Sequence, residues 1–220
     1  MSEPDGYTGH VDNGGPAATR RAGAQEITKV SVGPMDHNAY LLRCVATGEL
    51  VLVDAANDAD TLVGLIGVDG LARVVTTHRH ADHWQGLDAV VAATGARTAA
   101  GIDDVEGIKV DTDEPLADGD VVPVGDVRLG VIQLVGHTPG SIALLYRDPT
   151  GYPHLFTGDS LFPGGVGKTT PETFPRLIDD VEDKLFGALP DDTWVYPGHG
   201  DDTTLGAERP SLPEWRARGW

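Results

Sequence analysis

A single cysteine, Cys44, among 220 residues excludes an intramolecular disulfide framework and any site built from several thiolates, such as a zinc finger or an iron–sulfur cluster. Lying in the apolar run 40–45, it reads as a buried small hydrophobe. Aromatic residues make up only 6% of the chain, and no stretch approaches the run of about 18 apolar residues that marks a membrane span. The first fifteen residues have no basic stretch followed by an apolar run, so no signal peptide is expected, and a cytoplasmic location fits. Positive charge is scarce too. Sixteen Lys and Arg face 34 Asp and Glu, for a net charge of -18, and no Lys/Arg-rich segment offsets the excess locally. Such a chain repels phosphate backbones, so neither nucleic acid nor a membrane is an expected partner; a small-molecule substrate is, and a homo-oligomer stays open.

What is present suits an ordinary compact domain: 40% hydrophobic residues and 23% charged. Residues 1–25, rich in Gly, Asp, Asn and Thr, read as a flexible arm, and residues 26–220 as a single domain with a short C-terminal tail broken by Pro210 and Pro213. β-branched runs predict strands over 27–32, 39–45, 50–54, 73–77, 127–135, 141–146, 154–157 and 193–196. Helices are predicted over 58–67, 83–93 and 171–189, each opened by acidic residues or a proline. The strands carry too many apolar residues to leave a face in water, which points to an α+β arrangement of mixed sheets packed together with helices outside.

Three of the eight histidines fall within six residues, in Thr77-His78-Arg79-His80-Ala81-Asp82-His83, directly after an apolar run. Residues two apart on an extended backbone point to one side, so His78 and His80 leave the strand end together, with Asp82 and His83 following as the chain turns. His137, Asp159 and His199 each occupy a Gly-rich turn after another apolar run. Strand ends presenting one polar residue apiece, all of metal-binding types, gather seven donors at one edge. Imidazole and carboxylate without thiolate suit Zn²⁺, Fe²⁺ or Mn²⁺ in a catalytic site rather than a closed structural one.

With His78, His80, Asp82 and His83 matching H-x-H-x-D-H, and His137, Asp159 and His199 following in order, the chain resembles the metallo-β-lactamase superfamily over about residues 26–200. The resemblance is to its glyoxalase II-like (hydroxyacylglutathione hydrolase-like) members, without their C-terminal helical domain, since only 21 residues follow His199. It implies an αββα sandwich and two divalent ions, zinc first and iron or manganese as alternatives. His78, His80 and His137 would hold one, Asp82, His83 and His199 the other, and Asp159 would bridge them. A hydroxide between two such ions is the expected nucleophile for a thioester or ester, with Asp82 placed to take a proton. Asp54, before the first helix, would orient a ligand. His37, between the first two predicted strands, and Lys168, at the end of a Gly-rich stretch, are weaker substrate-binding candidates, and Asn38 reads as a turn residue.

Two rival readings accompany this one. A mono-iron persulfide dioxygenase would use the residues at His78, His137 and Asp159, and resembles the chain in Gly167-Lys168-Thr169, although those enzymes carry arginine where Lys168 stands. A non-catalytic metal-binding protein would bind ions without turnover. The glycines at 164–167 before Lys168 do not form a phosphate loop, because the glycine that motif needs five residues before Gly167 is Phe162.

Overall fold

The structure, a computed structural model, describes residues 6–219. Seven strands form the first sheet in sequential order: β1 (Ala18–Ala22), β2 (Gln25–Val32), β3 (His37–Cys44), β4 (Leu50–Val53), β5 (Arg73–Thr76), β6 (Arg97–Gly101) and β7 (Glu114–Leu116). β1 to β4 pair antiparallel; β4 to β7 run parallel. Helix α1 (Ala59–Ile66) and helix α2 (Leu87–Thr94) make the crossovers that parallel neighbours require. The second sheet contains β8 (Val121–Val124), β9 (Val127–Gln133), β10 (Ile142–Arg147), β11 (Pro153–Gly158), β14 (Trp194–Pro197) and β15 (Thr203–Thr204), with only β11 and β14 parallel. Between β11 and β14 come a small hairpin, β12 (Leu161–Phe162) with β13 (Gly165–Val166), and helix α3 (Phe174–Val181), which continues into a π-type turn over Glu182–Phe186.

Three apolar layers explain the stacking. Ile27, Leu42, Val51 and Val53 of the first sheet meet Leu129, Leu144, Phe156 and Tyr196 of the second. On the outer face of the first sheet, Leu52 and Val74 pack with Leu62, Ile66, Leu87 and Val90 of α1 and α2. On the outer face of the second, Leu145, Leu155 and Val195 pack with Leu177, Ile178 and Val181 of α3 and with Trp215. Both faces of both sheets are thus covered, giving the αββα sandwich.

The first sheet begins earlier than the sequence suggests. Ala18–Ala22, expected in a flexible arm, pairs residue for residue with β2, and Tyr7 is buried against the core; residues 1–5 of that arm lie outside the described residues. The tail also forms helices, α4 (Leu205–Glu208) and α5 (Leu212–Arg218). Pro213, expected to break the tail, sits in the first turn of α5, where its missing N–H costs nothing. The helix expected over 83–93 divides into a tight turn at Ala81–His83 and then α2, which frees Asp82 and His83 to point away from the helix axis. Among the described residues no helix is long and apolar enough to cross a membrane.

Candidate metal centre

All seven expected donors meet at one end of the sandwich, delivered by loops that leave both sheets. His78 and His80 follow β5, Asp82 and His83 lie in the turn before α2, His137 follows β9, Asp159 follows β11 and His199 follows β14. The first three imidazoles converge: His78 Nε2 lies 3.1 Å from His80 Nδ1, which lies 2.9 Å from His137 Nε2, itself 3.3 Å from His78 Nε2. A tetrahedral zinc with nitrogens at 2.0–2.1 Å would separate them by about 3.3 Å. The second set is looser. His83 Nε2 and His199 Nε2 are 3.3 Å apart, and Asp82 Oδ2 lies 3.7 Å from His199 Nε2 and 4.0 Å from His83 Nε2.

Asp159 sits between the sets. Its Oδ2 is 3.6 Å from both His137 Nε2 and His199 Nε2 and 4.0 Å from His78 Nε2. Its Oδ1 is buried without a hydrogen-bond partner; His83 Nε2 lies 3.2 Å away but is not aligned to donate. A buried carboxylate oxygen left without a donor is costly, and a cation would resolve that cost. Ring nitrogens turned on one another, together with this oxygen, fit a metal better than they fit any hydrogen-bond network.

The opposite side of several rings is tied down, which sets the tautomer. His137 Nδ1 donates to the Lys168 carbonyl at 2.8 Å and His199 Nδ1 to the Met35 carbonyl at 2.9 Å, leaving each Nε2 lone pair facing inward. His83 Nδ1 donates to Asp54 Oδ2 at 2.9 Å, and Asp54 also accepts from the Thr77 N–H at 2.7 Å and the Thr77 hydroxyl at 2.8 Å. Asp54 thus ties His83 to Thr77, on a left-handed backbone with φ of 57°. Electrostatics divides the rings. Burial, with His83 close by, pushes His78 well below the usual imidazole range, and burial also lowers His137. Burial opposes charge on His83 as well, but Asp54 and Asp159 outweigh it and lift that ring to about 10. Burial would raise Asp159, but the imidazoles of His199, His83 and His78 around it outweigh burial and hold it well below the ordinary carboxylate range.

Backbone approach matters at Gly198. A Cβ there would collide with Asp159 Oδ1 and come within 2.6 Å of His83 Cε1, so glycine alone lets the His199 loop close over Asp159.

The weaker candidates separate. Lys168 lines a cavity of about 480 Å³ beside the first three histidines, together with Arg79, His80, Val135, His137 and Thr170. His37, expected to face substrate, is 1% exposed and turns inward, its Nε2 3.3 Å from Asp82 Oδ2. Asn38 is not a turn residue: it lies in β3, buried, and its amide donates to the carbonyls of Pro197 and Gly200, both at 2.9 Å.

Asp104 is a residue the sequence did not single out. Fully buried, it accepts from the Arg79 and Gly140 N–H groups, each at 3.0 Å, and from the Thr138 hydroxyl. It therefore binds the loop of His78 and His80 to the loop of His137. The only signal for it was its place after the run 97–102, and that run, Arg-Thr-Ala-Ala-Gly-Ile, has little β-branched character.

A sequence profile of the Metallo-beta-lactamase superfamily matches residues 32–199, three quarters of the chain and all seven donors. The chain belongs to that superfamily. Among curated members, it is 37% identical over 163 residues to the hydroxyacylglutathione hydrolase of a Polaromonas species, covering 73% of this chain and 60% of that protein. It is 36% identical over 165 residues to the hydroxyacylglutathione hydrolase of Rhodobacter capsulatus, covering 74% and 62%. The chain thus spans about three fifths of the length of the curated relatives it matches. Among solved structures, ETHE1 from Myxococcus xanthus superposes with a TM-score of 0.76 at 27% identity, over 87% of this chain and 84% of that one. The protein TTHA1623, solved in a di-iron-bound form, gives 0.70 at 29% identity over 84% and 98%.

Proposed function

We propose that this chain is a metal-dependent hydrolase that cleaves a thioester or ester, using two divalent ions, with zinc the ion of choice. The observation that carries the reading is the sharing of the Asp159 carboxylate between two converging donor sets. Ions held there would supply Lewis acidity toward a carbonyl and a water deprotonated near neutral pH. An all-nitrogen-and-oxygen donor set without thiolate suits zinc in a catalytic role.

The chain's own residues do the rest. Asp54 fixes His83 in the tautomer that presents Nε2, and the Lys168 carbonyl does the same for His137. Asp82, with a side chain 26% exposed, is the most accessible carboxylate of the centre and is placed to take a proton from the attacking water. The cavity beside the first three histidines gives Val135 and Pro139 as an apolar wall for an acyl chain, while Arg79 and Lys168 offer positive charge to an anionic end. Similarity to hydroxyacylglutathione hydrolases supports a thioester as the bond cleaved. Because the match covers only three fifths of those proteins, the thiol half of their substrate is not carried over.

The test is turnover of a panel of acyl thioesters, esters and lactones, with metal counted per chain. Asp82→Ala should lose at least about a hundredfold in kcat with the fold retained. Unchanged turnover in that variant would sink the mechanism, and two ions bound with no turnover of any substrate would favour a binding protein. A second reading, a mono-iron persulfide dioxygenase, draws on His78, His137 and Asp159, which also converge: Nε2 to Nε2 is 3.3 Å, and Asp159 Oδ2 lies 3.6 and 4.0 Å from the two rings. One iron per chain with oxygen uptake on persulfides would select it.

A further inference from the structure

We propose that His37 is a sixth imidazole of the metal centre, a nitrogen ligand of the second site beside Asp82, His83 and His199. The inference rests on the two-site reading above and adds a donor to it. His37 opens β3 and its side chain is almost fully buried, which removes it from any surface a substrate can touch.

His37 Nδ1 lies 3.3 Å from the Val32 carbonyl oxygen, an acceptor; the tautomer with its proton on Nδ1 donates there and presents the Nε2 lone pair. That lone pair faces Asp82 Oδ2 at 3.3 Å, and a carboxylate oxygen is also an acceptor. Two acceptors turned on each other, the ring buried and the carboxylate half-buried, would be relieved by a cation between or beside them. A proton on Nε2 alone would leave the Nδ1 lone pair facing the Val32 carbonyl, and protons on both nitrogens would make the ring an imidazolium next to the residues of a dication site. With ions in place, the ion takes the lone pair.

Placement agrees. Ligand atoms of His37, Asp82 and His199 lie within 4.8 Å of one another, and the rings of His37 and His199 have centroids 4.6 Å apart. The two residues face each other in an isolated β-bridge, and the Asn38 N–H donates to the Gly198 carbonyl at 2.8 Å. Backbone pairing therefore carries His37 and His199 as one unit, so His37 reaches the site by fold and not by the chance rotamer of a surface chain.

Two consequences follow for the chemistry of the site. Three imidazoles at the second site bias it toward ions that favour nitrogen, zinc and iron above magnesium or manganese. The added ligand also takes a position that a water or substrate atom would otherwise occupy. Substrate is thereby directed to the first site, the side on which the cavity lined by His80 and His137 opens.

The experiment loads the full chain with ¹¹³Cd and records proton–cadmium correlations to the histidine rings, with His10 and His154 as uncoupled internal controls. The expected result is six coupled rings, with His37 on the same ion as His83 and His199. In His37→Gln, Zn²⁺ titration of the chelator-treated protein should show the second equivalent weakened at least about tenfold and the first unchanged. A His37 ring with no cadmium coupling, while the other five rings couple to two ions, overturns the inference and leaves the two-site reading intact. Failure of the wild-type chain to take a second equivalent overturns both. The wild-type spectrum decides even where the variant fails to fold.

Discussion

Lys29 and Asp202 form an ion pair with both side chains 0% exposed and 2.7 Å between Nζ and Oδ1, a setting in which removing one partner exposes the full cost of burying the other. Lys29 Nζ also donates to the carbonyls of Gly9 and Gly200, each at 2.7 Å, while Asp202 Oδ2 accepts from the Tyr7 hydroxyl at 2.8 Å and from Trp194 Nε1 at 2.9 Å. One pair thus fastens the N-terminal segment and the loop after His199 to β2. Lys29→Met keeps most of the volume and strands the carboxylate, for a cost of about 3–5 kcal/mol. Against the total stability of about 5–15 kcal/mol usual for a domain, that is a large fraction. With a urea dependence of about 2.5 kcal/mol/M, the midpoint should fall by about 1.5 M, measured by circular dichroism with chelator present so that metal uptake does not enter. Burial already pushes the Asp202 carboxyl above its ordinary range. Protonating it removes the stranded charge, so the deficit of the variant should shrink as pH falls toward 5. The double variant Lys29→Met/Asp202→Leu should lose less than Lys29→Met alone, because no charge remains buried. A loss below about 1 kcal/mol in Lys29→Met, or simple additivity in the double variant, would refute this account.

Further outcomes are expected elsewhere. Asp104→Asn leaves the Arg79 and Gly140 amides with at most one acceptor between them, and should weaken binding of the first metal equivalent by about 10–100-fold in a competition titration, with the second less affected. Gly198→Ala should force the His199 loop away from Asp159 and reduce metal stoichiometry, read by elemental analysis, while secondary structure is kept. His154, buried and hydrogen-bonded to the Tyr196 hydroxyl, is lowered to about 4 by burial, with Arg20 adding to the effect. Its folded pKa lies below its unfolded value, so the unfolded chain binds more protons between about pH 6.5 and 4, and stability falls as pH drops through that window. The loss reaches about 3 kcal/mol at the acid end. His154→Gln should flatten that part of the unfolding profile, and an unaltered acid limb would assign it to other groups.

The gathering of these seven side chains was legible because it is written in residue type: histidines and aspartates stand where apolar runs end, and a strand end is where a sheet exposes a side chain. The layers were legible for a related reason, since strands apolar on both faces demand cover on both. What the sequence concealed depends on partners far along the chain. β1 reads Ala-Thr-Arg-Arg-Ala and looks like loop, yet it is an edge strand, where polar side chains cost little. Asp104 and Lys29 look like surface charges until the fold supplies their partners, 34 residues away at Thr138 and 173 at Asp202. His37 carried the right chemistry in a plausible loop, but only the register of β2 against β3, which pairs Val32 with His37, turns its ring inward.

The donors also join distant parts of the chain. His80 and His137 are 57 residues apart and leave different sheets; His83 and His199 are 116 apart and do the same. An ion held by either pair closes a loop across the seam of the sandwich, and by loop-closure entropy each closure is worth about 4 kcal/mol against the unfolded chain, with less for the second once the first is made. A protein with one cysteine would in this way have cross-links between its sheets that form on metal uptake and open to a chelator. The same residues that serve chemistry would then set how firmly the two halves of the molecule are joined.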